Sequence, residues 1–158
     1  MPSMNYRPAL AAIVLGIVGA LTAFPAAAQY RNADAAIKYR QSAMSLQGNH
    51  MARIFAMANG QVPFDAKVAA ENIEIVALLN SRVQFAAFID GSDKGNTRAK
   101  PEIWAEKDKF TAAINKSQED VGKLVAAGKT GSLDQIKAAA GTVGQSCKAC
   151  HDAYQKPQ

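Results

Sequence analysis

Near its C-terminus the chain carries Cys147-Lys148-Ala149-Cys150-His151, two thiols and an imidazole within five residues. On a helix, spacings of i, i+3 and i+4 place all three on one face, where they can meet a single flat ligand. Two thiols that add across porphyrin vinyl groups, beside an imidazole that ligates iron, are the attachment chemistry of one covalently bound haem c. Three other chemistries fit less well. A reactive dithiol of the thioredoxin type belongs beside a βαβ unit, and no stretch here alternates with period two. Zinc wants four tetrahedral ligands, yet only two Cys and one His cluster, and His50 lies on another segment. A disulfide between residues three apart on a helix is strained and leaves His151 without a role.

The elements that position this motif follow from Gly and Pro. They punctuate the chain at Gly60 to Pro63, Gly91 to Pro101 and Gly128 to Gly131. Four long runs remain, Ala33 to Ala58, Asp65 to Asp90, Glu102 to Ala127 and Leu133 to Gln155, and short links make neighbouring helices antiparallel. The expected fold is all-α, an up-down-up-down four-helix bundle with covalently bound haem. Asp34 and Asp65 stand as start signals, Pro101 suits a first turn, and Ser132 with Gln135 forms a capping box. The apolar stripes are Ala33, Ile37, Met44, Met51, Phe55 and Ala58 on the first helix, and Val68, Ile75, Leu78, Leu79, Phe85 and Ile89 on the second. Phe110, Ile114, Val121 and Leu124 mark the third, and Leu133, Ile136, Ala140, Val143, Cys147, Cys150 and Tyr154 the fourth.

Several side chains then become candidates for the cofactor pocket. Arg40 sits within the first apolar stripe, where a guanidinium needs a negative partner, and a haem propionate supplies one. Met44, one turn later, puts a thioether where it can reach toward iron or fill space. Phe85 and Phe88, three apart on the expected second helix, form an aromatic wall. Gly144 and Gly141 let a porphyrin approach the backbone. His50 turns away from Met44 and reads as a surface histidine; Trp104 is expected to pack at the top of the third helix.

The 158 residues are 49% apolar and 20% charged, too apolar for a disordered chain and about the size of one domain. Residues 1–28 read as a cleaved secretory signal, with Arg7 as the only charge, an apolar run from Ala9 to Ala23, and small residues before Gln29. That run is shorter than the ~20 residues a bilayer span requires. Residues 29–158 then form the domain, in the periplasm, with no membrane association after cleavage. The chain's 18 Lys+Arg exceed its 13 Asp+Glu, but the basic residues are scattered, which argues against nucleic-acid binding.

The chain resembles the cytochrome c prime family, the high-spin class II c-type cytochromes, over residues 29–156. The likeness rests on Lys38-Tyr39-Arg40-Gln41-Ser42-Ala43, on Lys100-Pro101-Glu102-Ile103-Trp104, and on Gly144 with Ser146 through Tyr154. It implies a pentacoordinate haem held by His151, a distal wall of Met44, Phe85 and Phe88, and Arg40 beside a propionate. It further implies binding of nitric oxide and carbon monoxide without dioxygen, electron transfer with redox partner proteins, and a homodimer through the first two helices. Enzyme turnover such as peroxidase activity is not expected, because no second histidine or carboxylate falls on the Met44 face to act as acid or base. The alternative is a low-spin electron carrier in which Met44 is the sixth iron ligand. An apolar wall without a hydrogen-bond donor predicts slow, weak carbon monoxide binding and negligible binding of anions. One departure from the family stands at Gln155, where close relatives commonly carry a base; Gln155 donates a neutral hydrogen bond but no charge.

Overall fold

The computed structural model describes residues 29–157. The expected signal segment, residues 1–28, lies outside the described residues. The described chain forms α1 (Ala33–Ala58), α2 (Ala66–Leu78) continued by a π-helical segment (Leu79–Val83), a short α3 (Glu102–Ala105), α4 (Lys107–Thr130) and α5 (Leu133–Tyr154). The four long helices make the expected antiparallel bundle, α1 packing on α2 and α5, and α4 on α2 and α5. No helix among the described residues is long and apolar enough to cross a membrane.

Local chemistry explains the boundaries. The Asn32 side chain caps α1 by accepting from Ala35 N at 2.9 Å, so Asp34 is a first-turn acid and not the cap. Asp65 caps α2 by accepting from Lys67 N and Val68 N at 2.8 and 3.0 Å, and Ser132 caps α5. The expected third helix is broken at Glu106 and runs on to Thr130, where Gly131 adopts φ 66° as a left-handed end cap. Gly128, expected in the link, is instead helical and buried, and a Cβ there would lie 3.0 Å from Ile73 Cδ1. Its missing side chain lets α4 close on α2.

The second helix departs most from expectation. It does not run to Asp90: the ladder widens after Leu78, Gln84 N donates to Leu79 O at 3.0 Å, and residues 84–87 form turns. Its inward face is Ala69, Asn72, Ile73, Val76, Leu79 and Asn80, while Val68, Ile75 and Leu78 point to solvent. The apolar stripe read from sequence is therefore partly an outward one, and the inward face sets Ala69, Asn72 and Asn80 beside Ile73, Val76 and Leu79. His50 is likewise not a surface residue. It is buried against α2, where its Nδ1 lies 2.8 Å from Asn72 Oδ1, a polar pair invisible to a hydropathy pattern.

The dry core occupies one end of the bundle. Met51, Ile54 and Met57 meet Ala69, Ile73 and Val76, Val121, Leu124 and Ala127, and Ile136, Ala140 and Val143. A second cluster, Ile103, Phe110 and Tyr154 with Phe85, Phe88 and Trp104 around it, closes the other end. Between them lies space the helices do not fill.

Asp120 is buried at the α4 edge of the core and accepts from Lys116 Nζ at 2.5 and 2.6 Å, with Lys123 at 3.5 Å. Burial pushes its carboxyl up, but the hydrogen bond and charge of Lys116, with Lys123, outweigh this and hold it below the usual carboxylate range. A depressed folded value means the pair stabilises above the unfolded pKa of ~3.9 and is lost as pH falls through the folded one. Since Lys116 is half in solvent, Lys116→Met should cost about 1 kcal/mol at pH 7. Denaturant titrations at neutral and strongly acidic pH should show that difference shrinking toward zero in acid.

Candidate functional site

The unfilled space is a cleft with two adjoining lobes of about 230 and 190 Å³ that share Met44, Phe85, Cys150 and His151 in their walls. α5 carries the reactive motif, α1 supplies Met44, and the turns after the π segment supply Phe85. Cys147 lines the second lobe only. The two cysteines are not joined to each other in a disulfide. Burial pushes the Cys147 and Cys150 thiols up, with the charge of Asp120 adding at Cys147, so they face the cleft unionised. The His151 imidazole is lowered by desolvation and then by Arg98, with Asp152 opposing, which favours the neutral ring that ligates iron. Among the described residues no three His, Cys, Asp or Glu side chains converge on a metal-sized point, which leaves zinc without a ligand set.

The motif's helix is anchored at its end. Ala99 bridges Gln155, Lys100 N donates to Tyr154 O at 2.9 Å, and Lys156 N donates to Arg98 O at 2.7 Å. Lys100 Nζ donates to the Asp152 and Ala153 carbonyls, and Arg98 donates through Nε and Nη2 to Lys156 O. Gln155, the departure noted in sequence, lines the first lobe beside Arg98. A cation therefore does stand on the His151 side, brought from the 91–100 loop.

Arg40 is 3% exposed and lines the first lobe. Its Nη1 donates to Ala87 O at 3.1 Å and Ser92 Oγ at 2.7 Å, and its Nη2 donates to Ser92 O at 2.6 Å and Thr97 Oγ1 at 2.8 Å. Its guanidinium lies 4.9 Å from the Phe88 ring centroid and 5.8 Å from that of Trp104. Burial lowers its pKa and Asp93 partly restores it, yet a guanidinium stays charged. Within the fold, the oxygens that meet it are carbonyls and hydroxyls of the loop.

Met44 and Phe85 line both lobes and Phe88 the first. The two phenylalanines are not neighbours on one helix as expected. They follow the π segment and each meets Phe110 edge to face, with centroids 6.5 and 5.0 Å apart. Trp104 packs on Phe88 and donates Nε1 to Ile89 O at 3.0 Å. Gly144 lines the second lobe, where a Cβ would stand 3.2 Å from Phe55 Cζ, so its bareness serves that ring's approach. Gly141 lines neither lobe. The residues that sequence reasoning missed are Gln47, Gln84 and Ser117, buried polar side chains in the second lobe.

The group implied by the motif fits this donor set: two thiols and one imidazole on a cleft walled by Met and Phe, with guanidinium groups of Arg40 and Arg98 confined to the first lobe. A family model described as Cytochrome C' matches residues 35–155. The chain belongs to the cytochrome c prime family. It is 51% identical over 129 residues to the cytochrome c' of Rubrivivax gelatinosus, covering 81% of this chain and 99% of that one. The crystal structure of a Rubrivivax gelatinosus cytochrome c' superposes with a TM-score of 0.78 at 50% identity, over 81% of this chain and all of that one. A nitric oxide complex of a cytochrome c prime variant from Alcaligenes xylosoxidans gives 0.77 at 40% identity, over 82% and 99%. A carbon monoxide-bound variant from the same organism gives 0.76 at 41% identity, over 81% and 99%. As in its family, the cofactor is a covalently attached haem c.

Arg40 joins α1 to the turns and loop that close this cleft. Arg40→Met should cost about 2–4 kcal/mol, by stranding the Ala87 and Ser92 carbonyls. Thermal unfolding should register that loss, and limited proteolysis should cut first between Gly91 and Arg98.

Proposed function

We propose that the protein is a periplasmic gas-binding haem protein, not an enzyme, with a pentacoordinate high-spin haem that takes nitric oxide and carbon monoxide and also passes electrons to redox partners. The observation that carries this reading is that His151 is the single imidazole lining the cleft. The other histidine is committed to Asn72 on the α1–α2 contact and lines neither lobe. When bound, the haem would supply an iron that can take an exogenous ligand.

In this reading each wall residue has a defined task. Cys147 and Cys150 tether the ring, and His151 holds iron from the α5 side with its basicity tuned by Arg98. Arg40 and Arg98 provide positive potential for the propionates in the first lobe, the Nε–H of Arg40 being the donor that its loop contacts leave over. Met44, Phe85 and Phe88 would crowd the space left for a ligand in the cleft. That crowding penalises every ligand, and least those that bind without needing strong donors.

Met44 lines both lobes, and this favours one second reading, a low-spin electron carrier in which its sulfur ligates iron. The oxidised protein's electronic and paramagnetic resonance spectra separate the two. We expect high-spin signals and no sulfur-to-iron band, and a low-spin spectrum would reverse the assignment. Met44→Ala should then raise carbon monoxide affinity about tenfold by removing steric conflict worth roughly 1–2 kcal/mol. An unchanged affinity would remove the crowding argument.

The outward apolar side chains Tyr39 and Leu46 on α1 and Val68, Ile75 and Leu78 on α2 support a homodimer through these two helices. Light scattering should show a dimer for the native holoprotein and a monomer for the double variant Leu46→Asp, Leu78→Asp with its haem spectrum intact.

A further inference from the structure

The second lobe holds two polar side chains that the wall of Met44, Phe85 and Phe88 does not account for. Gln47 is 6% exposed and Gln84 2% exposed, and the Oε1 atom of each is buried without a hydrogen-bond partner. They come from different elements, Gln47 from α1 one turn after Met44 and Gln84 from the turn that follows the π segment. The surrounding wall is Met44, Met51, Phe55, Phe85, Gly144 and Cys147. A buried carboxamide left unpaired costs free energy, and natural folds retain few such groups without a partner that arrives later. Rotation by 180° about χ3 presents either the oxygen or the NH₂ at the unpaired end, so each side chain can accept or donate there.

What would meet them follows from how charge divides between the lobes. The guanidinium groups that suit propionates, Arg40 and Arg98, line the first lobe and not the second. The second lobe has Cys147, the thiol that takes a vinyl edge, and porphyrin vinyl and methyl groups neither donate nor accept. The Gln47 and Gln84 carboxamides of this lobe would then be left to a small ligand taken by the bound group. Gln47 lines this lobe together with Met44, Gly48 and Met51 of α1, facing the same space as His151.

Resting on the gas-binding reading, we propose that the Gln47 carboxamide is a hydrogen-bond donor to the diatomic ligand on the Met44 side, making this pocket polar where an all-apolar wall was expected. Its NH₂ points charge at the outer atom of the ligand, a stabilisation that Met44, Phe85 and Phe88 cannot give. Gln47 is thereby a specificity-determining residue.

The test uses the holoprotein with carbon monoxide as probe and the infrared C–O stretch as readout. A donor draws electron density onto the outer oxygen and lowers that stretch. Gln47→Met, nearly equal in volume, should move the band to higher wavenumber and speed carbon monoxide dissociation about fivefold, the factor that a hydrogen bond of ordinary net strength supplies. Gln47→Asn, which keeps the amide and withdraws its reach, should move the band the same way if the Met variant does not hold haem. In the native protein, transfer to deuterated water should shift the band slightly. A native C–O stretch in both Gln47 variants, or no isotope shift in the native protein, would overturn the proposal and leave gas binding intact. Absence of any carbon monoxide band in the native protein would overturn the gas-binding reading beneath it.

Discussion

A helical bundle that keeps a cleft between its two packed clusters gives up the helix contacts that would have filled it, and something else must hold the walls together. Here it is the buried guanidinium of Arg40. Four of its five N–H groups reach Ala87, Ser92 and Thr97, across 47 to 57 residues of sequence, and its flat face rests on Phe88 and Trp104. Neutral oxygens and aromatic faces spread its charge without cancelling it, so the cation persists at the wall of the cleft. Phe88 and the 91–100 loop are held by this contact, and the loop carries Arg98, which lines the first lobe with His151.

The loop reaches the motif's helix by a second route, the pairing of residues 98–100 with 154–156. α5 is thus fixed at one end by the dry core around Ile136, Ala140 and Val143 and at the other by backbone bonds to the loop. Cys147, Cys150 and His151 lie between these anchors. A rigid helix is what three attachment points to one planar group require, since an error in any one displaces the other two.

Much of this was legible in the sequence because it depends on local chemistry. The Cys147 to His151 spacing, the Asp65 and Ser132 caps and the extent of α1 follow from residues within a turn or two of each other. What escaped depends on which neighbour a face meets. The α2 stripe of Val68, Ile75 and Leu78 is apolar but outward, since hydropathy cannot tell a face meant for the core from one left for solvent or another copy. His50 was misread because its partner Asn72 lies on another helix. The partners of Arg40 were not seen because loop carbonyls carry no sequence signal. Gln47 and Gln84 were missed for the same reason, and the π segment that sets Gln84 and Phe85 has no composition signature.

The cleft separates anchoring from discrimination. On the proposed reading, anchoring would sit on α5, within the five consecutive residues Cys147 to His151. The facing wall is assembled from α1 and the post-π turns, from side chains whose substitution leaves the tether untouched. Met44 and Phe85 border both lobes, so a change at either alters the whole cleft, whereas Gln47 and Gln84 border only the lobe without guanidinium groups. Polarity on the open face can therefore vary while the charge environment of the first lobe stays as Arg40 and Arg98 set it. The same fold can then hold one cofactor in one way and offer its open side a graded set of chemistries.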